Sequence, residues 1–91
     1  ADFCLRVRGD SMINANIHNG DIVFIKKQSD VDDGEIAAVL IDNEATLKRV
    51  FKIGDIVQLR AENPTFPPIQ LNGDLPVHIL GKATYKLSKV L

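Results

Sequence analysis

Ser11, in the stretch RGDSM at residues 8–12, raises the first chemical question of this chain. A serine hydroxyl is too weak an acid to attack a carbonyl unaided, so Ser11 is either an ordinary turn residue or a nucleophile with a base elsewhere in the chain. The available bases are His18, His78 and Lys48. His18 lies in a polar turn and His78 alternates with Val77 and Ile79 in a late strand pattern; neither sits in a helper motif, and each reads as a turn or strand residue. Lys48 differs. Strand alternation places it on one face with Thr46 and Val50, while Leu47, Arg49 and Phe51 take the other. A lysine seated among such small β-branched neighbours loses hydration, which disfavours the ammonium form and lowers its pKa from the usual value of about 10.4. The same pattern also fits a solvated strand lysine lying over an apolar surface, and pattern alone favours that reading over the base.

Other reactive types carry less. Cys4, His18 and His78 show no paired ligand spacing, so no metal site is expected. Arg8-Gly9-Asp10 spells a cell-adhesion tripeptide, a string short enough to recur by chance.

The elements that must position Ser11 and Lys48 follow from composition and turn signals. A chain of 91 residues makes one small domain. With 45% hydrophobic residues, no Trp and only four Phe and one Tyr, its core must come mainly from Ile, Val and Leu, which suit pleated strands. The 11 Lys and Arg nearly cancel the 12 Asp and Glu and form no basic block, so this chain alone is expected to bind nucleic acid poorly. One cysteine excludes an internal disulfide, and no apolar run approaches the roughly 20 residues that span a bilayer, so a cytoplasmic protein is expected. The chain shows neither an initiator Met nor a signal-peptide pattern and is expected to begin inside a longer protein.

Short β-type runs alternate with turn signals throughout, predicting a mostly β domain of antiparallel strands. Phe3, Leu5 and Val7 alternate with Cys4 and Arg6; Ser11 to Ile17 reads as a short helical turn; His18-Asn19-Gly20-Asp21 turns into IVFIK; Asp32-Asp33-Gly34 marks the next turn. EIAAVLI, a link at Asp42-Asn43-Glu44, and ATLKRVFK read as a hairpin, and Gly54-Asp55 leads into IVQLR. Pro64, Pro67 and Pro68 interrupt pairing, and LPVHIL and ATYKLSKVL close the chain. The last run, Ala83 to Leu91, is expected to pair across a two-fold axis.

Five blocks occur in the order found in LexA-like self-cleaving proteins: GDSM at 9–12, NGDIVFI at 19–25, DGEIAAVLIDNEATLKRV at 33–50, LRAENPTFPPI at 59–69 and ILGKATY at 79–85. Together they resemble that family over nearly the whole chain. The resemblance implies a LexA/signal-peptidase-like, β-barrel-like domain in which Ser11 is the nucleophile, Lys48 the general base, and the backbone N–H groups of Asp10 and Ser11 form the oxyanion hole. It implies a C-terminal peptidase and dimerisation domain over residues 1–91, a homodimer, promotion of cleavage by a RecA filament on single-stranded DNA, and no cofactor or metal. Operator DNA would be read only by an N-terminal domain outside this sequence. The family's substrate is usually an Ala-Gly or Cys-Gly bond of its own chain, and neither dipeptide occurs here, so the cleaved segment is expected to lie outside these residues. Signal peptidases share a serine-lysine site, and LKRVFKIGD is similar to the stretch around their lysine, but they need a membrane anchor and a large apolar face. A domain that only dimerises a repressor, its serine and lysine idle, is the other alternative.

Overall fold

Chain reversals set the architecture. Asp42 and Asn43 both take left-handed backbone (φ 50° and 64°), the geometry of a two-residue turn whose twist matches that of the strands it joins. It connects β3 (Ile36–Ile41) directly to β4 (Glu44–Ile53), so the link is one residue shorter than expected and Glu44 already pairs with Ile41. Gly54-Asp55 closes a second tight hairpin, between β4 and β5 (Ile56–Arg60). The computed structural model describes residues 1–71 and 77–90. Within them β1 (Phe3–Arg6), β2 (Ile22–Lys27), β6 (Ile69–Leu71) and β7 (Val77–Leu87) complete a seven-stranded antiparallel sheet of order β1-β2-β7-β3-β4-β5-β6, curled into a half-barrel. The expected helical turn is a single 3₁₀ turn, Ile13–Ala15.

Two features depart from the sequence reading. The segment after the three prolines regains strand pairing at β6, which reaches β5 through Leu59 and Ile69. The two closing runs form one continuous strand, because Gly81 continues β7 instead of ending it. That strand ends at Leu87, short of the expected Leu91, which lies outside the described residues along with Leu75 and Pro76 of the run before it.

β7 is shared by two half-sheets. Its residues 77–82 pair with β3 and its residues 81–87 with β2. Register shifts opposite Ala38/Val39 and opposite Phe24/Ile25 put a bulge on either side of Gly81, and bulges bend a strand and increase its twist. At the crossing a Cβ on residue 81 would lie 2.3 Å from the Lys26 carbonyl oxygen and 2.6 Å from Ile25 Cγ2, closer than any side chain can stand. Glycine is required there by close approach and not by backbone angle.

Two apolar clusters pack against the sheet, the first across the junction of the two halves. Met12, Ile17, Val23, Ile25, Ala38 and Leu47 form the first, with Phe3, Leu5 and Val7 of the β1 edge packed on it. Val31, Ala37, Val39, Val50 and Leu59 form the second. Consecutive residues of β3 therefore face opposite clusters, and Ala37, Ala38 and Val39 have no exposed surface at all. Small side chains at 37 and 38 suit a strand packed on both faces.

Asp21, only 5% exposed, ties the start of β2 to the end of β7. Its carboxylate accepts the His18 N–H at 2.9 Å and the Lys86 ammonium at 3.1 Å. The His18 N–H, with Ser88 and Lys86 behind it, holds the carboxyl below its ordinary value against the opposing effect of burial.

Gly81→Ala is expected to destabilise the domain by about 1–3 kcal/mol through overpacking against backbone that cannot move aside. Each kcal/mol should lower Tm by roughly 4–8 °C, and a variant melting with the parent would mean the crossing relaxes freely. Asp21→Ala is expected to cost about 1.5–3 kcal/mol at pH 7. Because the folded-state pKa is depressed, that contribution is present above the unfolded carboxyl value and disappears as pH falls through the folded one. Denaturation midpoints of parent and variant should therefore converge in acid.

Candidate active site

The segment carrying Ser11 is pinned at both ends and plugged into the core. Gly9 takes φ +81°, the left-handed backbone that glycine adopts without strain, and its N–H donates to Asn19 Oδ1 at 2.9 Å. Just before it, Val7 N–H donates to the Asp21 carbonyl and Gly20 N–H to the Val7 carbonyl, both at 2.8 Å, so the chain entering the turn is bound to the chain leaving it. Met12 follows Ser11 and is 1% exposed in the first apolar cluster, while its carbonyl accepts the N–H groups of Ala15 and Ile17. The core thus anchors one neighbour of Ser11 and leaves the serine half-buried at the rim.

Ser11 lines a cleft of about 190 Å³ between the end of β1, residues 5–8, and the start of β4, residues 44–47. Lys48 is the next residue along β4 and does not itself line the cleft. Its ammonium donates to Leu47 O at 3.1 Å and, at the long distance of 3.4 Å, to Thr46 Oγ1; both partners belong to residues that line the Ser11 cleft. Lys48 and Ser11 do not share a hydrogen bond. Thr46 and Lys48 are half-buried and Val50 fully buried, as strand alternation predicts for that face. Burial pushes the Lys48 amine below its ordinary value, with the Glu44 carboxylate pulling weakly the other way. Neither partner of Lys48 is a carboxylate, so the neutral amine forfeits no ion pair.

The histidines go elsewhere. His18 is exposed, with Nε2 3.0 Å from Asn16 Oδ1, and His78 is exposed opposite Leu40 on β7; neither borders the cleft. Cys4 is exposed on the outer strand β1. Among the described residues no three His, Cys, Asp or Glu side chains gather as metal ligands, and no helix is long and apolar enough to cross a membrane.

One feature of the site was expected only through the family resemblance, and a second was not read from sequence. The N–H groups of Asp10 and Ser11 have no acceptor among the described residues, leaving adjacent donors free beside the Ser11 hydroxyl. Residues 62 and 63 also brace this segment, Glu62 through its carbonyl to Asn14 N–H and Asn63 through its side chain to the Asp10 carbonyl. The Asn63-Pro64 dipeptide was the available signal, since Asn-Pro initiates turns.

Residues 1–84 match the protein family described as Peptidase S24-like. The chain is similar to LexA repressors of several bacteria: 43% identical over 97% of its length to that of Syntrophomonas wolfei, 48% over 88% to that of Caldicellulosiruptor saccharolyticus, and 55% over 71% to that of Anaeromyxobacter dehalogenans. These alignments cover 42%, 38% and 28% of the respective repressors, so the chain spans well under half the length of the relatives it matches. A family match over residues 1–84, together with relatives 43–55% identical and a mostly β antiparallel fold, makes this chain a member of the Peptidase S24-like family.

Proposed function

We propose that this chain is the self-cleaving peptidase domain of a LexA-like repressor, with Ser11 as nucleophile and Lys48 as general base. The observation that supports the reading is that the half-buried Lys48 ammonium bonds to Leu47 O and Thr46 Oγ1, residues that line the same cleft as Ser11, in surroundings that lower its pKa. The neutral Lys48 amine takes the Ser11 hydroxyl proton as Oγ attacks the carbonyl carbon of the scissile bond. Negative charge moves to the carbonyl oxygen, where the free N–H groups of Asp10 and Ser11 receive it. The protonated lysine then gives its proton to the leaving nitrogen, the C–N bond breaks, the C-terminal fragment leaves with a new amine, and an ester links Ser11 Oγ to the carbonyl carbon that ends the N-terminal fragment. Water, deprotonated by the same amine, hydrolyses that ester and restores the hydroxyl.

The substrate strand has a place to bind. Among the described residues β1 pairs with β2 alone, and the first half of β4 pairs with β3 but not with β5, whose ladder begins at Arg49. Unpaired edges thus flank the cleft, and an extended segment laid between them would gain main-chain hydrogen bonds along its length.

In this reading residues 1–91 are the C-terminal part of a cytoplasmic repressor whose N-terminal domain binds operator DNA, and a RecA filament on single-stranded DNA promotes the cleavable conformation. The domain assembles as a homodimer through the second half of β7, where Tyr85 and Leu87 are 77% and 61% exposed and the edge beyond Lys82 has no partner strand among the described residues.

In a polypeptide extended upstream through an Ala-Gly or Cys-Gly bond, mass spectrometry should find a cut at that bond, faster with an activated RecA filament. Ser11→Ala and Lys48→Met should each slow it by about a thousandfold or more. An uncut chain under all conditions would instead identify a dimerisation module, and parental cutting by Ser11→Ala would remove the serine from the mechanism. The parental rate should climb with pH through the lowered lysine value and then level off. Lys48→Met should be at least as stable as the parent at neutral pH. A lysine whose folded-state pKa is depressed opposes folding below that pKa, and the deficit closes as pH rises towards the ordinary lysine value, where denaturation midpoints of parent and variant should draw together.

Sedimentation should find a dimer at micromolar concentration that Tyr85→Lys dissociates; a dimer indifferent to that change would place the interface elsewhere.

A further inference from the structure

The block AENPTF, residues 61–66, lies outside the strands, and its side-chain contacts run towards Ser11. Asn63 is 7% exposed, and each of its polar atoms is spoken for. Oδ1 accepts the Thr65 N–H at 3.0 Å and the Thr65 hydroxyl at 2.8 Å, and Nδ2 donates to the Asp10 carbonyl at 2.9 Å. The orientation of the amide is settled by chemistry, since a backbone N–H can only donate and must face the oxygen. The Thr65 contact closes an Asx turn; the Phe66 N–H bonds the Asn63 carbonyl at 3.0 Å and closes a β-turn over the same residues. Pro64, between them, fixes its own φ and has no N–H to compete. The Asn63 side chain is thus held from behind by a rigid turn and presents a single N–H outward.

That N–H meets the peptide unit that matters. The Asp10 carbonyl and the Ser11 N–H belong to one planar trans peptide and point in opposite directions, so fixing the oxygen fixes the direction of the N–H. The other donor to this oxygen, Ile13 N–H, stands at 3.4 Å, beyond the usual range, and holds it weakly. Without Asn63 only that weak bond restrains the peptide between residues 10 and 11, and Gly9, one residue before Asp10, offers little resistance to its rocking. Glu62 steadies the far side of the segment, its carbonyl accepting Asn14 N–H at 2.8 Å and its carboxylate paired with Arg49.

We propose that Asn63 is a positioning residue for peptide-bond cleavage: by anchoring the Asp10 carbonyl it keeps the Ser11 N–H aimed where the oxyanion forms. This rests on the reading of Ser11 as nucleophile. Asn63 touches no reacting atom and acts wholly through the peptide it holds.

The test uses the extended self-cleaving polypeptide with Asn63→Ser and Asn63→Asp. Serine can still accept from Thr65 in a shorter turn but cannot reach Asp10, and aspartate keeps the acceptor while losing the donor. The readouts are the cleavage rate across pH and the thermal midpoint. Outright loss of one oxyanion donor costs about a hundredfold to a thousandfold, so misdirecting one should lower the high-pH plateau by about tenfold to a hundredfold. In Asn63→Ser the pH midpoint should stay put, because Lys48 is untouched. Parental plateaus in both variants, alongside an inactive Ser11→Ala, would overturn the role of Asn63 and leave the serine mechanism standing. A deficit that vanishes at temperatures where the variants are fully folded would do the same, reducing Asn63 to a stabilising turn. Cleavage by Ser11→Ala at the parental rate would bring down the underlying reading itself.

Discussion

The near-contact of Gly81 with the Lys26 carbonyl is the constraint on which the remainder of the molecule depends. Ser11 hangs from the half-sheet of β1 and β2; Lys48 belongs to the half-sheet of β3 and β4. Among the described strands the ladder that joins the two halves is β7, whose bulged centre passes from one to the other at residue 81, and the first apolar cluster packs across the same junction. Had β7 needed the room of a side chain there, β2 would stand further from β3 and the cleft between the β1 end and the β4 start would open. Site geometry is thus set by a residue with no chemistry of its own.

Around that crossing the polar groups fall into two kinds. Asp21, Asn63 and Asn19 each satisfy a particular backbone group near the Ser11 segment and act as geometric ties. The surface pairs Lys52–Asp30 and Lys82–Glu35 are more exposed and contribute little to stability on their own. Lys48 fits neither kind. It is drawn into partly buried surroundings with a hydroxyl and a carbonyl as its hydrogen-bond partners, at a cost to folding.

Much of this was legible in the sequence because turns and alternation are local. The Asp42-Asn43 turn, the Gly54-Asp55 turn and the faces of β1 and β4 follow from which residues tolerate left-handed backbone and which alternate. What stayed hidden was non-local. Gly81 looks the same in sequence whether it breaks a strand or lets another backbone approach, and only the position of β2 distinguishes the two. The prolines at 64, 67 and 68 marked an irregular stretch correctly but masked the return to pairing at β6, tolerable because this short strand lies at the sheet edge. Asn63 was visible as part of a block and silent as to role, since its partner Asp10 lies far back in the chain.

The position of β7 also bears on when the domain comes into being. The last strand of the chain lies between the second and the third, so neither apolar cluster has its full cover until residues near the C-terminus are available. Pairings of such sequence separation form late and slowly compared with hairpins such as β3–β4. On the ribosome, where residues emerge at about 5–20 per second, Ser11 and Lys48 leave the tunnel well before the strand that sets their half-sheets side by side. A nascent chain therefore carries Ser11 and Lys48 before their half-sheets are set side by side, and β7 acts as a timer that withholds the cleft until it has been made.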